Sequence, residues 1–359
     1  MTSATGNTPI PYDSTFEHVA IDEAETIHAM QNVFAGMAHK VAEAEGHAHR
    51  AVHAKGHALV RARLTVLDDL PPQLAQGLFA QAGSYDVLMR WSSPPAEQLP
   101  DAVSTPRAVA FKVLDVPGER LDAQKQGHSQ DFLMVNGPVF SAPDPQAFLK
   151  SVKLLAATTN RTESGKKVIS AVLRGAEAAL EALGGESGTL KSMGGEPQHH
   201  PLGETYFSQT PYLYGRHMAK LSLAPVAPQL VSLDGAGIDS QDDAQRDAIA
   251  RHFAAQGGEW ELRVQLNVDV DQMPIEDASV EWPQDLSPFI AVARIRAEPQ
   301  SSWNDASQRL EDATAFDQWN CLAAHRPIGA INRARREVMK TSRDFRASFN
   351  RCPIHEPSA

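Results

Sequence analysis

The sequence has little cysteine, with only Cys321 and Cys352 in a chain of 359 residues. So few thiols exclude a disulfide framework. Long hydrophobic runs are also missing, because apolar stretches are interrupted within about ten residues, well short of the ~20 that span a bilayer. The first residues lack the basic and apolar regions of a secretory signal. We therefore expect a cytoplasmic protein without a membrane span.

Positive charge is in deficit as well. The chain has 33 basic and 44 acidic residues, which gives a formal net charge of −11. This balance disfavours a nucleic-acid-binding protein, which needs a basic face for phosphates. It equally disfavours docking on an anionic membrane surface. Hydrophobic residues make up 42% of the chain and charged residues 21%, which is typical of a globular protein.

Helical and strand patterns are both present. Apolar spacing predicts helices over residues 21–44, 145–158, 165–183, 242–256 and 331–349. Alternating patterns predict strands over residues 57–67, 86–91, 107–114, 131–135, 218–223, 259–269 and 289–296. A Gly-, Ser- and Pro-rich loop is expected over residues 184–203.

The alternation along these strands is typical of antiparallel sheets. We therefore expect an α+β fold, an antiparallel β-barrel of about eight strands with inserted and C-terminal helices. Residues 1–20 would form an N-terminal arm, and residues 21–359 a single domain. Within that domain the barrel would span about residues 50–300, and a helical segment would follow over residues 301–359.

A run of histidines raises the question of a metal site. His47, His49, His53 and His57 lie close together, several of them four residues apart. On a helix such spacing can hold zinc. The run from residue 47 to residue 57 contains no cysteine or carboxylate, so a zinc or copper protein is a minor alternative.

The stretch RAVHAKG at residues 50–56 resembles the distal haem motif of the haem catalases, Arg-x-Val-His-Ala-Lys-Gly. Further segments match that family in the same order: RWS at 90–92, PRAVAFK at 106–112, NGPVF at 136–140, VEWP at 280–283 with PFIAV at 288–292, and AFDQWN at 315–320. The resemblance runs from about residue 45 to residue 350 and is strongest to the short, catalase-related branch, which includes hydroperoxide-metabolising relatives. It implies a catalase-like barrel and haem b as the cofactor.

The resemblance also assigns catalytic roles. His53 matches the histidine that moves a proton from the inner to the outer oxygen of a peroxide. Ser92 would hold the imidazole by a hydrogen bond and so fix its tautomer. Asn136 would add a neutral donor to the bound oxygen species.

Other residues match cofactor-binding positions of the family. Arg50, Arg90 and Arg346 match arginines that pair with the haem propionates, where a planar guanidinium suits a carboxylate. Phe148 matches an aromatic residue that stacks near the haem ring. The arginines of the last helix are therefore assigned to haem rather than to nucleic acid.

The resemblance breaks at the proximal iron ligand, which in this family is the tyrosine of Arg-x-x-x-Tyr. Arg335 is present, Met339 stands where the tyrosine is expected, and no tyrosine lies beyond Tyr214. Three outcomes remain open: the Met339 thioether binds iron at the axial position, Met339 only packs against the haem, or haem is lost. Arg335 would then need a propionate or a carboxylate, because an unpaired buried guanidinium is costly.

These matches predict a catalase-related haem protein that acts on a small-molecule peroxide or organic hydroperoxide. Without the phenolate we expect a peroxidase or a hydroperoxide isomerase or lyase, not an efficient catalase. The alternative is a non-catalytic haem binder or a degenerate, haem-free scaffold. No nucleic-acid partner is expected, and the polar arm is compatible with a homo-oligomer.

Overall fold

The computed structural model describes residues 7–103, 105–123, 127–156 and 196–357. Its strands are β1 Lys55–Val66, β2 Ser84–Ser93, β3 Ala108–Val113, β4 Gln130–Val135, β5 Tyr206–Phe207, β6 Tyr212–Tyr214, β7 His217–Pro225, β8 Gly258–Leu266 and β9 Ile290–Ala297. Its helices are α1 Glu23–Glu45, α2 Pro145–Ala156, α3 Pro228–Val231, α4 Ala244–Ala255, α5 Asp305–Ala313 and α6 Ala330–Phe349. The helix predicted over 165–183 and most of the loop predicted over 184–203 lie outside the described residues.

The strands form one closed antiparallel barrel. Their order is β5-β4-β3-β2-β1-β9-β8-β7, and β5 also pairs with β7, which closes a ring of eight strands. The remaining strand, β6, pairs with the first residues of β7, His217 to Ala219. The closing strand β5 has only two residues and carried no predicted pattern, yet the predicted α+β fold with an eight-stranded antiparallel barrel is confirmed.

The inside of the barrel is filled by large apolar side chains. Trp91, Phe111, Phe132 and Trp260 are each at most 1% exposed and belong to one cluster with residues from most of the strands. Alternate residues of the same strands point outward. On that outer face Leu88 and its neighbours pack against Phe316 and Leu310 of the segment that includes α5. This packing places α5 over the outer face of β1 to β3.

Helices α1, α2 and α6 pack together beside the barrel. Their apolar stripes meet in a cluster that includes Met30, Phe34, Leu149 and Val338. Helix α1 ends at Gly46, whose φ of +71° and N–H bond to the Ala42 carbonyl form a left-handed C-cap. The chain then turns directly into the RAVHAKG segment, which is therefore held between this helix cluster and the barrel.

The described part of the N-terminal arm packs on the same chain. The backbone N–H of Ile10 donates to the carbonyl of Asn267 at 2.9 Å, and that of Tyr12 donates to Arg216 at 2.8 Å. Ile10, Tyr12 and Phe16 pack against a cluster that contains Trp282. The division into an arm and a single domain stays a prediction.

In the described ranges, no helix combines the length and the apolar content that crossing a membrane requires.

Candidate active site

Three arginines from distant parts of the chain converge on the outer face of the barrel. Arg50 precedes β1, Arg90 lies on β2, and Arg346 lies on α6. Arg50 Nη1 donates to Oε1 of Glu311 at 2.5 Å, and Arg90 Nε donates to the same oxygen at 2.6 Å. Arg50 and Arg346 also share the Thr314 carbonyl, at 2.8 and 3.2 Å. The three arginines therefore lie together, and their expected pairing with haem propionates stays a prediction.

The positive charge of this arginine cluster is only partly neutralised. Glu311 is the carboxylate that the cluster contacts, and its side chain is 9% exposed. Burial alone would raise the pKa of Glu311, but Arg50 and Arg90 outweigh it and bring the pKa to about 2. Burial and the charge of Arg50 lower the pKa of Arg90 to about 10 and that of Arg346 to about 9. The charges of Glu311 and Asp312 act in the opposite direction, so the repulsion from Arg50 is partly offset.

His53 lies directly beside the arginine cluster. Arg90 Nη2 donates to the carbonyl of His53 at 2.8 Å. Burial first, and then the charges of Arg90 and Arg335, lower the pKa of His53 to about 3, so the imidazole is neutral near pH 7. Its φ of +55° is uncommon for a residue other than glycine, and such residues concentrate at functional sites.

Among the described residues, the hydroxyl of Ser92 makes no hydrogen bond to His53. His53 Nδ1 is buried and has no hydrogen-bond partner there. The serine hydroxyl that bonds to a histidine is that of the next residue, Ser93, which lies 2.9 Å from Nε2 of His57. Only the backbone of Ser92 acts on His53, where it raises the pKa slightly against the larger effect of burial. The role of the Ser92 hydroxyl in fixing the tautomer of His53 stays a prediction.

The side chain of Asn136 is held by hydrogen bonds to two glutamates and to the backbone of Arg107. Its Nδ2 donates to Glu196 at 2.7 Å and to Glu204 at 3.3 Å, while its Oδ1 accepts from the backbone N–H of Arg107 at 2.9 Å. Both amide hydrogens and the oxygen are thus engaged in a buried cluster around Arg107. The expected role of Asn136 as a neutral donor to the bound oxygen species stays a prediction.

Arg335 lies on the first half of α6 and has no carboxylate partner. Its Nη1 donates to Thr210 Oγ1 at 3.2 Å and to Gln318 Oε1 at 3.5 Å, and its guanidinium lies 5.0 Å from the centre of the Phe140 ring. We expected a propionate or a carboxylate there; the described residues supply no carboxylate, and pairing with a propionate stays a prediction. The charge of Arg335 lowers the pKa of His53, but by less than burial and the charge of Arg90 do.

Met339 lies one helical turn after Arg335 and is half-buried. Arg335, Met339 and Arg346 follow one face of α6, at positions i, i+4 and i+11. The neighbouring face, with Ala334 and Val338, packs into the helix cluster instead. Met339 thus faces the same side as the two arginines, and its axial role stays a prediction.

Phe148 packs among aromatic side chains of the helix cluster. Its ring centre lies 4.7 Å from that of Phe140 and 6.4 Å from that of Phe34. Phe140 therefore connects Phe148 to the guanidinium of Arg335. The expected stacking of Phe148 on a cofactor stays a prediction, and Phe140 is the aromatic residue that lies next to a charged group of the site.

The four clustered histidines do not converge on one point. His47 lies 3.3 Å from Asp312 and His49 lies 2.9 Å from Glu45, whereas His57 bonds to Ser93. No group of three or more potential metal-ligating His, Cys, Asp or Glu side chains occurs in residues 7–103, 105–123, 127–156 and 196–357. These contacts give the metal alternative no support.

Sequence reasoning missed three residues of the site. Glu311 and Thr210 come from segments without a recognised motif, Gln318 lies in the AFDQWN segment but was given no role, and each contacts a predicted arginine. An isolated glutamate at the end of a short helix has no signal in the sequence that separates it from a surface charge. Only the packing of α5 on the barrel reveals its position.

Comparison with known proteins shows the fold. No protein-family model matches the chain, and no curated protein matches its sequence. Solved structures do match: catalase A from Saccharomyces cerevisiae, with 16% identity and a TM-score of 0.60 over 99% of this chain and 70% of that chain. A fungal catalase matches with 16% identity and a TM-score of 0.61, over 99% of this chain and 68% of that chain. A bacterial catalase matches with 15% identity and a TM-score of 0.57, over 100% of this chain and 70% of that chain. The chain therefore has the catalase fold.

Proposed function

We propose that this catalase-fold chain binds haem b and converts a small peroxide or an organic hydroperoxide, without being an efficient catalase. The observation that carries the proposal is the arginine cluster. Arg50, Arg90 and Arg346 are far apart in sequence, meet beside Glu311, and among the described residues contact no other carboxylate. Buried cations with too few counter-ions favour an anionic ligand, and haem carries two propionates.

The residues present fit the carboxylate end of the cofactor. Arg50, Arg90 and Arg346 would hold the propionates by charge-assisted hydrogen bonds. Arg346 Nε is buried and has no partner, which leaves one more donor at the site. Met339 is the residue that the family register offers on the proximal side. When bound, haem would supply an iron atom that binds and reduces a peroxide oxygen.

His53 supplies the proton chemistry of the proposal. A neutral imidazole accepts the proton of a hydroperoxide O–H group and returns it to the departing oxygen. A pKa of about 3 makes the imidazole a weak base while the arginine cluster is unneutralised. Two propionates beside Arg90 would weaken that repulsion and raise the pKa of His53 toward the working pH.

Two observations support a slow or altered reaction rather than fast disproportionation of hydrogen peroxide. Met339 offers a thioether instead of a phenolate, which favours ferrous over ferric iron. Asn136 is held by Glu196 and Glu204 and does not add a donor next to His53. Isomerisation, dehydration or slow peroxidation with a small reductant fits these residues best.

The test is a hemin titration of the purified protein, followed by assays with cumene hydroperoxide and with hydrogen peroxide. We expect a Soret band at one hemin per chain and consumption of the hydroperoxide with little oxygen evolution. His53→Ala should lower the hydroperoxide rate at least 100-fold. His28→Ala, which changes an exposed histidine, should not lower it.

Two results would overturn the proposal. If added hemin produces no Soret band, the chain does not bind haem. If the hemin-loaded protein evolves oxygen at rates typical of catalases, it is an efficient catalase. The second candidate, a haem-free scaffold, is favoured by one observation. Glu311 already bonds to Arg50 and Arg90, so the chain carries an internal carboxylate where a cofactor carboxylate would bind.

A further inference from the structure

Arg335 is a cation that no carboxylate of the described ranges contacts. Its Nη1 donates only to neutral groups, the Thr210 hydroxyl and the Gln318 side-chain oxygen. Gln318 Oε1 is shared with the hydroxyl of Tyr212, which donates to it at 3.1 Å. Burial lowers the pKa of Arg335, and only the hydroxyl of Tyr212 acts in the opposite direction. The positive charge is therefore not compensated by any carboxylate in the described chain.

Thr210 and Gln318 are neutral side chains, so they cannot neutralise the charge of Arg335. Thr210 Oγ1 donates to Asn332 Oδ1 at 2.9 Å, and Gln318 Nε2 donates to the same atom at 2.6 Å. The network is thus a fixed set of neutral dipoles behind the guanidinium. Fixed dipoles and a charge in a low-dielectric setting form a prearranged site rather than a flexible surface.

One edge of the guanidinium is open. Nε and Nη2 of Arg335 make no hydrogen bond within the described residues, and they are not among the buried polar atoms that lack a partner. They therefore border accessible space, while the Phe140 ring covers one face of the group at 5.0 Å. The Nε–Nη2 edge of an arginine carries two parallel N–H donors, which match the two oxygens of a carboxylate.

We infer that Arg335 anchors a binding site for a small monovalent anion, best a planar carboxylate of the size of formate. The open Nε–Nη2 edge takes the two oxygens, and the anion's charge neutralises the guanidinium. The site lies one helical turn from Met339 on α6 and is separate from the arginine cluster around Glu311. The inference needs no haem, so it stands or falls independently of the proposed function.

The experiment is isothermal titration of sodium formate into the full-length protein, without added hemin, in a low-salt zwitterionic buffer. We expect one formate per chain with millimolar affinity. Arg335→Gln should weaken binding at least tenfold, and Arg335→Lys should weaken it less, because lysine keeps the charge but loses the two-donor edge. Circular dichroism of each variant reports whether it is folded.

Two further variants locate the anion. Arg336→Gln is the matched control, since Arg336 is the next residue of α6, is 60% exposed and lies against the Trp319 ring at 5.0 Å. It should bind formate as the wild type does. Arg346→Gln should also retain binding.

Several outcomes would contradict the inference. If the wild type binds no formate up to 100 mM, the proposed site does not exist. A Kd of 100 mM corresponds to a binding free energy of about −1.4 kcal/mol. Unchanged binding in Arg335→Gln, or loss of binding only in Arg346→Gln, would place the anion in the arginine cluster instead. If Arg335→Gln does not fold, Arg335→Lys provides the test. Formate binding by Arg335→Lys as tight as that of the wild type would overturn the role of the two-donor edge.

Discussion

At the scale of single residues, Glu311 decides the electrostatics of the arginine cluster. It accepts from Arg50 and Arg90 through one oxygen and is nearly buried, so it acts as an internal counter-ion. The two propionates of haem would have to share these arginines with Glu311. The same carboxylate therefore stabilises the free chain and competes with a carboxylate ligand.

We expect Glu311→Gln to bind hemin roughly 10- to 100-fold more tightly than the wild type, since removing a charge-assisted contact is worth about 1.5–3 kcal/mol. The free variant should be less stable, because three close cations lose their counter-ion. Hemin titration by Soret absorbance and urea unfolding measure the two effects.

The control for this variant is Glu298→Gln, which removes an exposed glutamate that pairs with Arg296 and is 70% exposed. Weaker hemin binding in Glu311→Gln would show that the carboxylate orients the arginines and does not compete with the cofactor.

Met339 is the second residue whose identity decides the chemistry. We expect Met339→Tyr to place a phenol one turn from Arg335, where the guanidinium favours the phenolate. The absorption spectrum of the hemin-loaded variant should change in both the ferric and ferrous states, and oxygen evolution from hydrogen peroxide should rise.

Met339→Leu separates ligation from packing, because leucine keeps the apolar volume and removes the sulfur. If the wild type, Met339→Leu and Met339→Tyr give identical spectra, residue 339 does not contact the iron. A scaffold without haem would acquire a Soret band only in Met339→Tyr.

At the scale of elements, helix α6 carries the site because its different faces contact different partners. One face holds Arg335, Met339 and Arg346, and another packs against α1 and α2. Near its start, Arg333 donates to Glu23 at 2.7 Å, to Glu276 at 2.9 Å and to Glu17 at 3.2 Å. This contact ties α6 to α1 and to the N-terminal arm.

We expect Arg333→Ala to destabilise the protein by roughly 2–4 kcal/mol, because three half-buried carboxylates lose their shared cation. Urea unfolding measures the change. Arg336→Ala, on an exposed position of the same helix, should change the stability by less than about 0.5 kcal/mol. Equal effects of the two substitutions would mean that the Arg333 contacts do not hold the arm and helices together.

At the scale of the whole molecule, the barrel closes through pairings that are far apart in sequence. Strand β5 joins β4 through Val135 and Phe207 and joins β7 through Tyr206 and Leu223. The interior also holds buried histidines that must stay neutral, such as His325, whose Nε2 accepts from the backbone N–H of Leu78 at 3.0 Å. Folding is therefore linked to pH.

We expect stability to fall as the pH drops below 6.5. Burial lowers the pKa of His325 to about 4, so between pH 6.5 and 4 the unfolded chain binds a proton there that the folded chain does not. This single histidine contributes a loss of roughly 2 kcal/mol between pH 7 and pH 5. Asp131 acts in the opposite direction, because burial raises its pKa to about 6 and the folded chain takes up that proton first.

Urea unfolding at pH 7 and pH 5 measures the net slope. His325→Gln, which stays neutral at both pH values, should lose less stability on acidification than the wild type does. His28→Gln, at an exposed position, should behave as the wild type does. The same slope in all three proteins would show that His325 is not held neutral by the fold.

Most of the barrel followed from local patterns. The predicted strands over 57–67, 86–91 and 131–135 agree with β1, β2 and β4, because alternation and turn residues reflect the pleat and one buried face. The short strands β5 and β6 carried no such signal, since two or three residues have no measurable period. Their place depends on what the neighbouring strands leave unpaired.

The sequence by itself determined the order of motifs and the antiparallel barrel, because these depend on residue type and spacing. Only the tertiary structure decided which of the predicted site residues are free. It showed Asn136 bound to two glutamates, Glu311 placed between Arg50 and Arg90, and Arg335 without a carboxylate. Partners of this kind come from segments tens to hundreds of residues apart, and the charge that a buried group experiences is a sum over those neighbours rather than a property of its own segment.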